Sequence, residues 1–129
     1  MKHLNGVMTG LTICLAAACG TDAGPTSPAP QPDVAIANAY ILPGAVNLGA
    51  GAFGDHPLVI YEGERLRWRN VDGVEHNLEG DTPSLPEFVT TGLLAPGGEQ
   101  SFVMNTLGTM TFHCTIHPQM VGTLIVEQR

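Results

Sequence analysis

The chain is 129 residues long and carries 12 acidic against 5 basic side chains, a formal net charge of −7 at pH 7. That length holds one domain with appendages. The acidic balance excludes a binder of nucleic-acid backbones, which neutralises phosphate with clustered Lys and Arg; it suits basic partners and also keeps an exported protein soluble.

The first segment has the form of an export signal. Lys2 gives a positive start, and the 12 residues from Val7 to Ala18 are apolar apart from Thr9, Gly10 and Thr12. A membrane-spanning helix needs ~20 such residues, so this run is too short to be one. It closes on Ala16-Ala17-Ala18-Cys19, and two processing routes fit. Ordinary signal peptidase would cut after Ala18. A bacterial lipobox would make Cys19 the lipidated first residue, although Ala16 stands where Leu is usual and Leu15 lies one place further back. Cys14 is the poorer candidate because Ile13 precedes it, where a small residue is needed.

Residues 20–32 are rich in Pro, Ser and Ala and hold almost no bulky apolar side chain. Such a stretch cannot bury a core and stays extended, as a spacer between a lipid and a folded domain does. We therefore read residues 1–18 as a lipoprotein signal, 19–33 as a tether and 34–129 as the folded domain. A frayed terminus of a soluble secreted protein is the alternative. Either way the chain is exported, to the periplasm or the cell surface. With Cys14 removed and Cys19 lipidated or terminal, Cys114 has no disulfide partner in the domain. A lone thiol in an oxidising compartment is a liability unless it is buried or bound to metal.

From Asp33 onward the pattern has period two. Val34 to Ile41 predicts a first strand. Asn47 to Asp55, rich in Gly and Ala, predicts a loop. Leu58 to Tyr61 is a short strand and Glu62 to Glu64 a turn. Arg65 to Asn70 alternates strictly, which puts Leu66 and Trp68 inward and three arginines outward. Asp72-Gly73 signals a turn before a strand carrying His76, and Gly80 to Pro86 is another loop. Ala95 to Gly98 is a turn, followed by strands at Ser101 to Met104, Thr109 to Phe112 and Thr123 to Val126. Short β segments between Gly and Pro turns predict an all-β antiparallel sandwich. Trp68, Phe102, Phe112, Leu66, Val103, Leu124 and Val126 are its expected core.

The chemistry gathers near the C-terminus, where Cys114, His117 and Met120 fall at i, i+3 and i+6 of one short loop between strands. His76 adds a second imidazole from a distant strand. Two imidazoles, a thiolate and a weak thioether suit copper and few other metals. Zinc accepts Cys and His but does not use a thioether. Haem attachment is excluded, since there is no Cys-x-x-Cys-His. His56, in a Gly-rich loop, reads as solvated. His113 has the opposite strand parity from Phe112 and Cys114 and is expected to point away from the site.

These residues resemble the cupredoxins, the small type 1 blue-copper proteins of the plastocyanin, amicyanin and pseudoazurin kind. The resemblance runs from Leu58 to Glu127 and rests on Gly63-Glu64, Trp68-Arg69-Asn70, His76, Pro96-Gly97, Gly108-Thr109, Phe112-x-Cys114-x-x-His117-x-x-Met120 and Gly122. It implies an antiparallel Greek-key sandwich with one copper per chain. His76, Cys114 and His117 would be the strong ligands and Met120 the axial one. Asn77 is expected to hydrogen-bond toward Thr115 and hold the ligand loop. Met110 stands where an aromatic is frequent, which predicts looser packing under the site. Glu75 and Glu79 flank His76 and are expected to favour Cu(II).

The function so implied is that of an exported one-electron carrier, not an enzyme. Its partner would be a redox protein such as a cytochrome or a membrane oxidoreductase. The alternative is a copper-binding or delivery protein for homeostasis or oxidase assembly. A multicopper enzyme is disfavoured, because only His56 and His113 remain in the domain to build a second cluster.

Overall fold

A computed structural model describes residues 33–129. The expected signal segment, Cys19 and the tether up to residue 32 lie outside the described residues.

Seven strands form two sheets. In the first, β1 (Ile36–Ile41), β3 (Arg65–Asn70) and β5 (Glu99–Val103) lie side by side in that order. In the second the order is β2 (Leu58–Tyr61), β7 (His117–Glu127), β6 (Gly108–Cys114) and β4 (Leu78–Gly80). The expected all-β sandwich is present, with one difference. Each sheet is mixed, because β1 runs parallel to β3 and β2 parallel to β7, while the other pairs are antiparallel. Parallel neighbours need a crossover connection rather than a hairpin. Here the chain leaves β1, winds across the sandwich, supplies β2 to the other sheet and only then returns as β3.

Alternation explains the strands. Along β3, Leu66, Trp68 and Asn70 are buried, while Arg65 and Arg69 are exposed. The small side chains of Ala37 and Ala39 stand in register with Leu66 and Trp68, so large and small residues share the space. The same period corrects one expected core residue. Phe102 packs against Phe88, so its neighbour Val103 must face the other way, and it is 36% exposed beside Arg65.

The core is aromatic. Trp68 meets Phe112 at 5.2 Å between ring centroids and Phe53 at 5.6 Å, both edge-on. Phe53 comes from the segment expected to be a plain loop. That segment instead winds into two 3-10 turns, Ala45–Asn47 and Gly49–Phe53, and buries Ala45, Ala52 and Phe53. Leu85 and Phe88, from the loop after β4, complete the core. Met110 is buried and fills the space over Gly80, where an added Cβ would meet its Sδ at 2.6 Å. The expected looseness is therefore not seen, because a flexible thioether occupies the gap that Gly80 leaves.

Candidate metal centre

Cys114, His117 and Met120 stand on two paired strands rather than on one loop. Cys114 is the last residue of β6 and His117 the first of β7. Only Thr115 and Ile116 turn between them, and Cys114 and His117 are register partners across the hairpin. A register shift between His113 and Cys114 re-aims the thiol, as β-bulges beside functional sites do. Met120 lies three residues into β7 and is fully buried. His76 sits on an isolated bridge to Leu94 rather than on a strand; the two exchange backbone hydrogen bonds of 3.2 and 2.7 Å.

These placements bring three donors together. Cys114 Sγ lies 3.8 Å from His76 Nδ1 and 3.6 Å from His117 Nδ1. The ligand atoms of the three residues all lie within 4.8 Å of one another. First-row metals bond nitrogen and sulfur at ~2.0–2.3 Å, so one ion can reach all three. Cys114 and His76 are buried and His117 is partly exposed. Met120 is buried on the same strand, three residues after His117. The donor set fits a soft, redox-active transition metal better than a hard cation, which takes oxygen ligands.

The charged residue that meets the centre was not among those expected. Asp72 Oδ2 lies 2.9 Å from His76 Nε2, and Asp72 Oδ1 accepts the N–H groups of Gly44 at 2.9 Å and Gly73 at 2.8 Å. Burial pushes this carboxyl up, but the Gly44, His76 and Gly73 donors outweigh it and hold it below the ordinary carboxylate value. Its spacing of four residues before a candidate ligand was the available signal, masked by Asp-Gly reading as a plain turn.

No family model matches the chain, and no curated protein matches its sequence. Solved structures do match. A purple cupredoxin from Nitrosopumilus maritimus is 24% identical, with a TM-score of 0.61, over 70% of this chain and 99% of that one. A reduced mutant of amicyanin is 22% identical, with a TM-score of 0.58, over 74% of this chain and 84% of that one. A Cu(I) form of another amicyanin mutant is 24% identical at the same TM-score of 0.58. The fold is that of the cupredoxins.

Within this cupredoxin sandwich the other expected residues fall as follows. Thr115 is tied to Asn77, but by the backbone: Thr115 N–H donates to the Asn77 carbonyl at 2.8 Å. The Asn77 side chain turns instead to the Thr90 hydroxyl, also at 2.8 Å. Glu75 and Glu79 are exposed, so solvent screens them from the donors far more than it screens Asp72. His113 turns to Asp81, with Nδ1 and Oδ1 2.5 Å apart, and stays out of the donor group. His56 is exposed and sets its ring edge-on to Phe53. Asn70, unforeseen, is fully buried and braces the turn that carries Asp72. It donates to the carbonyls of Val74 at 2.7 Å and Leu94 at 2.9 Å, and accepts the Asp72 N–H at 2.9 Å.

Proposed function

We propose that this domain is a one-electron carrier whose single type 1 copper would be held by His76, Cys114 and His117 and, more weakly, by Met120. The observation that carries this reading is the convergence of one thiol and two imidazoles, whose ligand atoms lie within 4.8 Å of one another where the β6–β7 turn meets the His76 bridge. Bound copper supplies the Cu(I)/Cu(II) couple. The chain supplies rigidity. The two-residue turn, the Thr115–Asn77 backbone bond and the His76–Leu94 bridge keep the donors from drifting apart. Donors that need not move between oxidation states lower the cost of electron transfer. The same rigidity stands against a delivery role, which needs donors that open to release their cargo.

His117 is the route for the electron, since it is partly exposed while His76, Cys114 and Met120 are buried. Its neighbour Ile116 is 48% exposed, and Val74 and Leu93, close in sequence to His76 and its bridge partner, are 47% and 65% exposed. Exposed apolar side chains here suit brief docking of a redox protein, such as a cytochrome or a membrane oxidoreductase. The acidic net charge favours a partner with a basic rim. The reading extends to export. Residues 1–18 would be the signal, Cys19 the lipidated terminus and 19–33 the tether, with the domain in the periplasm or at the cell surface. A single, buried, unpaired Cys114 among the described residues supports a thiol reserved for metal.

The test is to add Cu(II) to the metal-free protein and record the visible spectrum with metal content. An intense blue band at one copper per chain is expected. Failure to develop it, with Cu(I) or zinc retained instead, would move the site to copper delivery or a structural metal. The mass of the mature N-terminus decides between a lipidated Cys19 and an unmodified end.

A further inference from the structure

The Gly- and Ala-rich segment between β1 and β2 reaches the metal end of the sandwich at two points. The carbonyl of Val46 accepts from Gln119 Nε2 at 3.0 Å, next to Met120. The N–H of Gly44 donates to Asp72 Oδ1 at 2.9 Å. Gly44 holds φ 73°, the left-handed region in which a Cβ is strained, so glycine is needed to aim that N–H. Gly73 N–H donates to the same oxygen, so two N–H groups fix the carboxylate, and Asn70 Oδ1 holds the Asp72 backbone N–H. Its other oxygen is left for His76 Nε2.

An ionised carboxylate only accepts hydrogen bonds, so the Nε2 it touches must carry the hydrogen. A neutral imidazole with its hydrogen on Nε2 has its lone pair on Nδ1, the atom that faces Cys114 Sγ at 3.8 Å. The opposite tautomer would turn an N–H toward the donors and block the site. We propose that Asp72, locked by the Gly44 N–H, is the positioning residue of this centre. It holds His76 as the Nε2–H tautomer and places a fixed negative charge one imidazole away from the metal. Such outer carboxylates orient a ligating histidine and raise its basicity. The charge opposes reduction of the metal, so it lowers the potential. That last consequence rests on the copper reading above; the tautomer does not.

The test uses the whole protein with Asp72→Asn and Asp72→Ala. Long-range proton–nitrogen NMR correlations assign the His76 tautomer, first in the metal-free protein and then with Cu(I) bound. The expected result is Nε2–H in the parent and in Asp72→Asn, whose amide oxygen still accepts. Asp72→Asn should raise the copper potential with circular dichroism unchanged. Asp72→Ala should weaken copper binding about 10- to 100-fold. A parent His76 protonated on Nδ1 overturns the proposal, and so does an unshifted potential in Asp72→Asn. If Asp72→Ala fails to fold, Asp72→Asn decides alone. A protein that takes up no copper sinks the preceding section's reading, and the metal-free tautomer still decides this one.

Discussion

At Asn70 a polar side chain is completely buried and makes three hydrogen bonds to the turn and bridge that carry Asp72 and His76. Truncation leaves two carbonyls and one N–H without their partner. Asn70→Ala should therefore cost about 1–3 kcal/mol, seen as a lower urea midpoint, since unsatisfied buried groups lose their full solvation. At the centre, the thiol alone accounts for an intense visible band. Cys114→Ser should abolish that band and leave the circular dichroism of the folded sandwich. Met120→Leu should keep the band and raise the reduction potential, because a weak donor is removed; an unchanged spectrum and potential would take Met120 out of the centre. Gly122 stands opposite Phe112 in β7, where an added Cβ would run into the Phe112 ring and meet His56 Cε1 at 2.8 Å.

Among the elements, the two 3-10 turns between β1 and β2 do more than connect strands. Phe53, at their end, lies 5.0 Å from Phe112 and anchors the segment in the core. Gly44 and Val46, near their start, bracket the metal end through Asp72 and Gln119. Phe53→Ala should cost about 3–5 kcal/mol by denaturant unfolding, as truncation of a buried aromatic does. Because the anchor and the brackets share one segment, the same variant should also release copper faster. Unchanged release with a lowered midpoint would show that the brackets hold without the anchor.

Across the whole molecule, three carboxylates tie separate parts together. Glu87 Oε1 takes the N–H of Asn105 at 3.1 Å and the Thr106 hydroxyl at 2.8 Å, linking the loop after β4 to the turn before β6. Burial raises its pKa, but those donors outweigh it and the net shift is downward. Asp81 is likewise raised by burial and lowered further by Thr111 and His113. Asp72 moves the same way. For a carboxyl depressed by folding, the unfolded chain binds more protons as pH falls. Its stabilisation is full above the ordinary carboxylate range and is lost as pH drops through the folded value. Unfolding free energy should thus be level near neutrality and decline below about pH 5. Glu87→Gln should flatten part of that decline, measured by denaturant titrations at stepped pH.

Strands β2 and β3 and the donor spacing were legible in the chain because they depend on local rules. Leu58–Tyr61 and Arg65–Asn70 declare themselves by flanking turns and strict alternation. In Cys-x-x-His a two-residue turn is enough to set Cys114 opposite His117. Tertiary structure decided what rests on the approach of distant segments. Which of Phe102 and Val103 faces the core depends on register with β3, and both are apolar. Phe53 looked like loop because its partners, Trp68 and Phe112, come from opposite sheets. The parallel pairs β1–β3 and β2–β7 could not be read from strands that are individually alike. Asp72 read as half of a turn, since its role needs a glycine 28 residues earlier to hold it against His76. Periodicity and spacing are properties of neighbours along the chain; partners are properties of the packed whole.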